Sequence, residues 1–181
     1  MGGKGMNGQL GDFLKNEYKD VKSDVFSAFM VRNTFLALEG GQLGFMTPFV
    51  WMFKSTYEKL RIFLLEEKTI TSLIQLEYSG FDGATVPICT FTVENKHRRD
   101  FRGSYIRLSD FRGAKNQAPK TIEAILNPNC GWFYRSSASN FENIPGSPIG
   151  YWVSKNVINC FSKGTNIHHV AQPRHGMSTG N

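Results

Sequence analysis

Apolar positions recur along this chain in two periods, one helical and one alternating. Within residues 23–39, Phe26, Phe29, Met30 and Leu36 fall near one helix face, and Ser23 or Asp24 can serve as the N-cap. Gly40 and Gly41 follow in the positions where glycine commonly ends a helix. Residues 42–47 form a short apolar run before Pro48, which predicts a buried parallel strand that stops where proline removes a ladder donor. A second helix is predicted over residues 56–67, with Ser55 and Glu58 as a Ser-x-x-Glu capping box and Leu60, Phe63 and Leu64 directed inward. Residues 70–78 and 86–93 read as strands, and the connection at 79–85 is short enough for a hairpin. A further strand is expected at 104–108 and a helix at 121–126.

The remaining stretches read as loops. Residues 1–11 are glycine-rich and lack the Gly-Lys-Ser/Thr ending of a phosphate loop. A Pro-, Asn- and Ser-rich tract runs through Pro148 and reads as a connection leaving the first domain. The expected division is residues 1–112 as one unit, 113–148 as a connecting segment, and 149–181 as the start of another region.

Composition narrows the class. With 181 residues, 40% of them apolar and 15 Phe, the chain can bury a core. A net charge of +6 fits a polyanion partner, although proteins that never touch nucleic acid also carry such a surplus. Cys89, Cys130 and Cys160 are odd in number and widely spaced, which argues against a disulfide framework or a zinc site and for a reducing, cytoplasmic setting. No apolar run approaches the ~18 residues of a membrane span. His168, His169 and His175 could suggest metal, but adjacent histidines on an extended segment point apart, and no metal is expected. The Gly-Ser-Pro at 146–148 lacks the second glycine of a nucleophile elbow, and no dinucleotide fingerprint occurs.

Four patches, taken in order, carry a resemblance. They are Met1-Gly-Gly-Lys-Gly-Met-Asn7; Asp24-Val-Phe-Ser-Ala-Phe29 with Gly40-Gly-Gln-Leu-Gly-Phe-Met-Thr-Pro48; Phe81-Asp-Gly-Ala-Thr-Val86; and Ile144-Pro-Gly-Ser-Pro-Ile-Gly-Tyr-Trp-Val-Ser154 with Gly176-Met-Ser-Thr-Gly180. In this order they resemble adenine-specific DNA methyltransferases, particularly those of the bacteriophage-exclusion (BREX) type, from just after the Asn-Pro-Pro-Tyr catalytic motif onward.

The resemblance implies an α/β fold, the second half of a class-I, Rossmann-like methyltransferase sheet ending in an antiparallel strand pair, with residues 1–112 as the C-terminal half of the catalytic domain and 149–181 as the start of a DNA target-recognition region. It makes Met1 an internal methionine of a longer enzyme, with none of the catalytic motif's residues in this chain. It implies transfer of a methyl group from S-adenosylmethionine to adenine N6 in double-stranded DNA, marking host DNA as self. Such chemistry needs a flipped-out base, and Phe81 matches the family's second base-stacking aromatic; a stacked ring offsets about 1–3 kcal/mol of extrusion cost. Phe29 matches a ring lying against the cofactor's adenine, and Asp24 a residue shaping that pocket; core packing is the alternative for Phe81 and Phe29, and helix capping for Asp24. Lys96, Arg98, Arg99, Arg102 and Arg107 are phosphate-contact candidates, with a solvated face as the alternative. Pro48, Trp51 and Phe53 follow a strand at its carboxyl end, where open α/β sheets place ligands. A non-catalytic module that binds DNA, or that complements a partner bearing the missing first half, is the other reading, with further phage-defence proteins as possible company.

Overall fold

Alternation of Cys89, Phe91 and Val93 with Thr90 and Thr92 builds the middle of the sheet, because successive strand side chains point to opposite faces. In the computed structural model, which describes residues 2–81, 83 and 86–172, this strand is β3 (Ile88–Glu94). It lies between β1 (Gln42–Pro48) and β2 (Thr69–Gln75) and runs antiparallel to both. β4 (Arg102–Arg107) pairs parallel with β2, and β5 (Phe133–Ser137) pairs antiparallel with β4. The order is therefore β1-β3-β2-β4-β5, a mixed and open sheet. Register fixes which residues share an end. Pro48, Gln75 and Arg107 lie at the carboxyl ends of β1, β2 and β4 beside Ile88, whereas Gln42, Thr69, Arg102 and Glu94 mark the opposite end.

Three helices, α1 (Gly8–Glu17), α2 (Val25–Leu36) and α3 (Glu58–Glu66), share one core with β2 and β3, in which Met30, Trp51, Met52, Leu60, Leu64, Leu73 and Phe91 are buried. Burying a large apolar side chain is worth about 1.5–3 kcal/mol, so this cluster is the main source of stability. A second cluster packs α4 (Ala114–Leu126) over Ile74 and Ile106 through Leu108 and Ala124. α5 (Ala138–Glu142) sets Phe141 edge-on to Tyr105 at 5.7 Å. The chain then crosses back over the sheet, and α6 (Lys155–Lys163) starts at Ser154, whose hydroxyl accepts from the Val157 amide.

The α/β class and the β2–β3 hairpin agree with the sequence reading; several local expectations do not. The glycine-rich start turns helical at Gly8, because the Asn7 side chain accepts from the Leu10 amide at 2.9 Å and caps α1. β1 is an antiparallel edge strand with alternating exposure, not a buried parallel one. Ser55 and Glu58 form no capping box: a 3-10 turn at Ser55–Tyr57 leads into α3 without a side-chain cap. Helix α4 begins at Ala114, seven residues ahead of the expected 121, and carries Pro119 in its interior. Residues 113–148, expected as a connecting segment, supply α4, β5 and α5.

One glycine is dictated by close approach. A Cβ on Gly103 would lie 2.6 Å from the Ile70 carbonyl and 3.1 Å from the Tyr105 ring. The tight spot lies beside the irregularity between Ile70 and Ser72, where the β2 register shifts.

Candidate functional site

The carboxyl end of the sheet gathers chemistry from four separate stretches of sequence. After Pro48 the chain makes a 3-10 turn, Phe49–Met52, that sends Trp51 into the core against Phe91 at 4.9 Å. The Phe49 amide donates to the Pro87 carbonyl at 3.1 Å, so this turn and the β2–β3 connection are laced together. Phe53 stands edge-on to Trp152 at 5.6 Å, and Trp152 stands edge-on to Tyr151 at 4.9 Å. Tyr151 is buried, and its hydroxyl donates to Gln75 Oε1 at 2.9 Å. Burial pushes that phenol's pKa far up, with the Arg107 charge opposing the shift, so the hydroxyl stays protonated. Arg107 itself lies over the Trp152 ring, 4.5 Å from its centroid.

The 144–152 tract reaches this end because α3 holds it. Arg61 is 1% exposed, and its guanidinium donates to the carbonyls of Trp51 (2.8 Å), Lys54 (2.7 Å) and Gly146 (2.9 and 2.6 Å). Burial lowers its pKa, and Glu58 partly restores it. Gly146 and Ser147 both have positive φ, 79° and 48°, and together they turn the chain so that the Ile149 amide reaches the Met52 carbonyl at 2.9 Å. A non-glycine residue at positive φ is uncommon, and the Arg61 bonds to the preceding carbonyl hold it there.

Phe81 belongs to the same end. It lies in the β2–β3 connection with its ring half exposed, at 50%. The base of that connection is fixed by a polar hub. Glu77 Oε2 accepts from the Ser79 amide and hydroxyl and from the Gly113 amide. Gln117 in α4 accepts from the Glu77 amide and donates to the carbonyls of Phe111 and Gly113. Hydrogen bonding from the Ser79 hydroxyl, foremost, holds the Glu77 carboxyl below its usual range.

The basic run lies elsewhere. Lys96, Arg98, Arg99 and Arg102 follow β3 and open β4, at the end of the sheet opposite to Phe81. Lys96 pairs with Glu39 at 3.0 Å, and Arg98 grips buried Glu94 Oε1 through Nε and Nη2 at 3.0 and 2.7 Å. Arg102 donates to the Arg135 carbonyl at 3.0 Å, and Arg99 is exposed. Of the cations read from sequence, Arg107 alone stands at the Phe81 end.

Phe29 and Asp24 lie on α2. Asp24 caps the helix, accepting from the Phe26 amide at 3.4 Å. Phe29 is 60% exposed, because the buried residues of α2 are Ser27, Ala28, Met30 and Thr34. Its ring lines an open cavity of about 610 Å³ between α1 and α2, together with Leu10, Phe13, Tyr18 and Arg32. That volume and apolar lining are in the range of cofactor clefts. Among the described residues no cluster of His, Cys, Asp and Glu gathers to hold a metal. His168 and His169 sit in an exposed turn, Ile167–His169, and His175 lies outside the described residues, as does the 176–180 patch. No helix among the described residues is long and apolar enough to cross a membrane.

Sequence reading named Phe81 and Arg107 but missed Trp152, Tyr151 and Gln75 as their neighbours. No local spacing could join residues 75, 107 and 152; the parallel pairing of β2 with β4 does so.

Comparison with known proteins gives these features a context. A family model described as Eco57I restriction-modification methylase matches residues 1–81. Adenine-specific methyltransferase PglX of Lacticaseibacillus casei (strain Zhang) is 34% identical over 188 residues, covering 100% of this chain and 15% of that protein. Adenine-specific methyltransferase BrxX of Escherichia coli O9:H4 (strain HS) is 36% identical over 166 residues, covering 90% of this chain and 13% of that protein. The chain thus spans a small part of the length of the relatives it matches. In fold it is similar to the methyltransferase subunit of a type I restriction-modification system from Streptococcus thermophilus, with a TM-score of 0.55 at 19% identity over 77% of this chain and 33% of that one. Relatives that align over 100% and 90% of the chain agree with the resemblance read from the four sequence patches. This chain is a homologue of the adenine-specific methyltransferases PglX and BrxX, matching a stretch that makes up 15% and 13% of their lengths.

Proposed function

We propose that the chain is part of an adenine-specific DNA methyltransferase of the phage-exclusion type, acting in the cytoplasm on double-stranded host DNA. The observation that carries this reading is an exposed Phe81 on an anchored loop at the carboxyl end of the sheet, in a chain whose whole length aligns with a protein of that name. Extruding a base from a duplex costs a few kcal/mol, and an aromatic face recovers part of it for any base. Phe81 supplies that face, while the Glu77–Gln117 hub keeps its loop from collapsing onto the sheet.

S-adenosylmethionine supplies the electrophilic methyl when bound. The open apolar groove fits the flat, apolar part of that molecule: Phe29 would cover its adenine, with the α2 start capped by Asp24 forming one wall. Lys96, Arg98, Arg99 and Arg102 form a separate basic surface for DNA backbone, of which Arg99 is the most open to a phosphate, since the other three are already engaged within the fold. Residues from 149 onward lead toward the region that reads the DNA sequence, and other phage-defence proteins are the expected company of the whole enzyme.

A chimera tests this. Residues of this chain replace the aligned stretch of the Lacticaseibacillus casei relative, and N6-methyladenine in host DNA is measured by mass spectrometry. Methylation by the chimera, lost at least tenfold in F81A with cofactor binding intact, is the expected result. A folded chimera that binds S-adenosylmethionine but leaves no N6-methyladenine would overturn the reading.

A further inference from the structure

We infer that Arg107, stacked on Trp152, is a built contact for a backbone phosphate of nucleic acid, on the same end of the sheet as Phe81. The inference rests on the DNA reading above and adds to it a residue outside the basic run.

The argument starts from what Arg107 lacks. Its Nε is buried without a hydrogen-bond partner, and no hydrogen bond or ion pair ties its guanidinium to any described residue. Four other arginines are engaged within the fold: Arg98 grips Glu94, Arg61 reaches three carbonyls, Arg102 donates to the Arg135 carbonyl, and Arg135 donates to Ser104 at 2.8 Å. The buried Nε is out of an anion's reach, so the terminal Nη groups, which have no partner among the described residues, are the donors that an incoming anion would satisfy.

The second observation is how firmly the cation is placed. One face of it is covered by Trp152 at 4.5 Å. Trp152 is wedged between Phe53 and Tyr151, and Tyr151 is tied to Gln75, the residue paired with Arg107 across the β2–β4 ladder. Indole and guanidinium are thus held by the same two strands. A stacked guanidinium keeps its in-plane N–H edge available, and that planar fork matches the two oxygens of a phosphate. A strand terminus places it more rigidly than a loop would.

The third is position and charge. Arg107 closes β4 at the carboxyl end, where Phe81 also sits, and the whole chain carries a net charge of +6, which favours a polyanion over an isolated carboxylate. A base held by Phe81 would be flanked by its own backbone, and that is the phosphate assigned here to Arg107.

The test is fluorescence anisotropy of the full chain with a fluorescein-labelled mixed-sequence duplex about two helical turns long, at salt concentrations from about 50 to 200 mM. Three variants are compared: R107Q, R107K, and K19Q, which removes one exposed charge outside the proposed contacts. An ionic phosphate contact contributes about 0.9 to the log–log salt slope, so R107Q is expected to lower the slope by about that amount and the affinity roughly tenfold at the lowest salt. R107K keeps the charge and the slope but loses the stacked fork, and its affinity falls several-fold at every salt concentration. R107Q behaving as K19Q, or R107K matching the parent chain in affinity, would overturn the contact while leaving the DNA reading standing. Failure of the parent chain to bind duplex at the lowest salt would remove both.

Discussion

Arg61 offers the sharpest test of how the site is held together. Replacing it with Met keeps an unbranched stem of similar reach in the core and removes all four N–H···O bonds to Trp51, Lys54 and Gly146. The Trp51 and Gly146 carbonyls then lose their partner while the Lys54 carbonyl keeps the Tyr57 amide, and each stranded acceptor costs about 1–3 kcal/mol. Removing the charge also relieves its own desolvation, which offsets part of that sum, so the net loss should be about 3–5 kcal/mol, the usual cost of deleting one member of a buried polar set. For a chain of this size that corresponds to a fall of roughly 6–20 °C in Tm. R61K should fall between, because a compact ammonium cannot fork onto Gly146 and still reach Trp51 and Lys54. The assay is urea unfolding followed by tryptophan fluorescence, paired with amide exchange at Ile149, whose bond to Met52 depends on the turn Arg61 anchors. An R61M loss below about 1 kcal/mol, with Ile149 still protected, would refute the claim that this cation ties 144–152 to the sheet.

Three further outcomes follow from the structure. At pH 8, with all three cysteines free, exposed Cys160 should react with a thiol reagent at once; burial pushes the Cys89 thiol up to about 11, and it should react only after unfolding, so prompt labelling of Cys89 would contradict its packing. Because hydrogen bonds from Ser79 hold the Glu77 carboxyl below its ordinary value near 4.5, their stabilisation is complete above that range and is lost as pH falls through the lowered value; exchange protection of the Ser79 and Gly113 amides should drop there, and E77Q should abolish the pH dependence. Gly103→Ala forces a methyl group onto the Ile70 carbonyl, which is backbone and cannot swing away, and should cost about 1–3 kcal/mol in a urea titration; an unchanged midpoint would show that the β2 irregularity can absorb it.

What the sequence revealed depended on how local each signal was. The β2–β3 hairpin was legible because alternation in 88–93 and the turn residues before it lie side by side. Helix α2 was legible as a helix, yet its buried face was not: it is apolar almost all round, so Phe29 and Leu36 compete with Met30 for the core, and the contest is settled by the Ser27 hydroxyl bonding back to the Val21 and Asp24 carbonyls. Strand β5 was hidden in Phe133-Tyr-Arg-Ser-Ser, the polar composition of an edge strand that packs only part of its length. Helix α1 was hidden by Gly8 and Gly11, which lower helix propensity, while its cap, Asn7, was in plain view. The site was half legible for a different reason. Phe81 and the arginines announce themselves by residue type, but which arginine shares an end with Phe81 is a matter of strand direction, and only pairing decides that.

The insertion of β3 between β1 and β2 has a kinetic meaning. β1 makes its ladder with a strand that comes later in the chain than α3 and β2, from Pro48 with Ile88 to Gln42 with Glu94. Among the described strands β1 has β3 as its partner, so within this chain that ladder is complete only once residue 94 has emerged. The hairpin of β2 and β3 closes a short loop and can form first, whereas adding β1 closes a longer one at greater entropic cost. The expected folding order is therefore the reverse of the order of synthesis at this edge: β3 recruits β1, and substitutions in β3 should slow folding more than equally destabilising ones in β1.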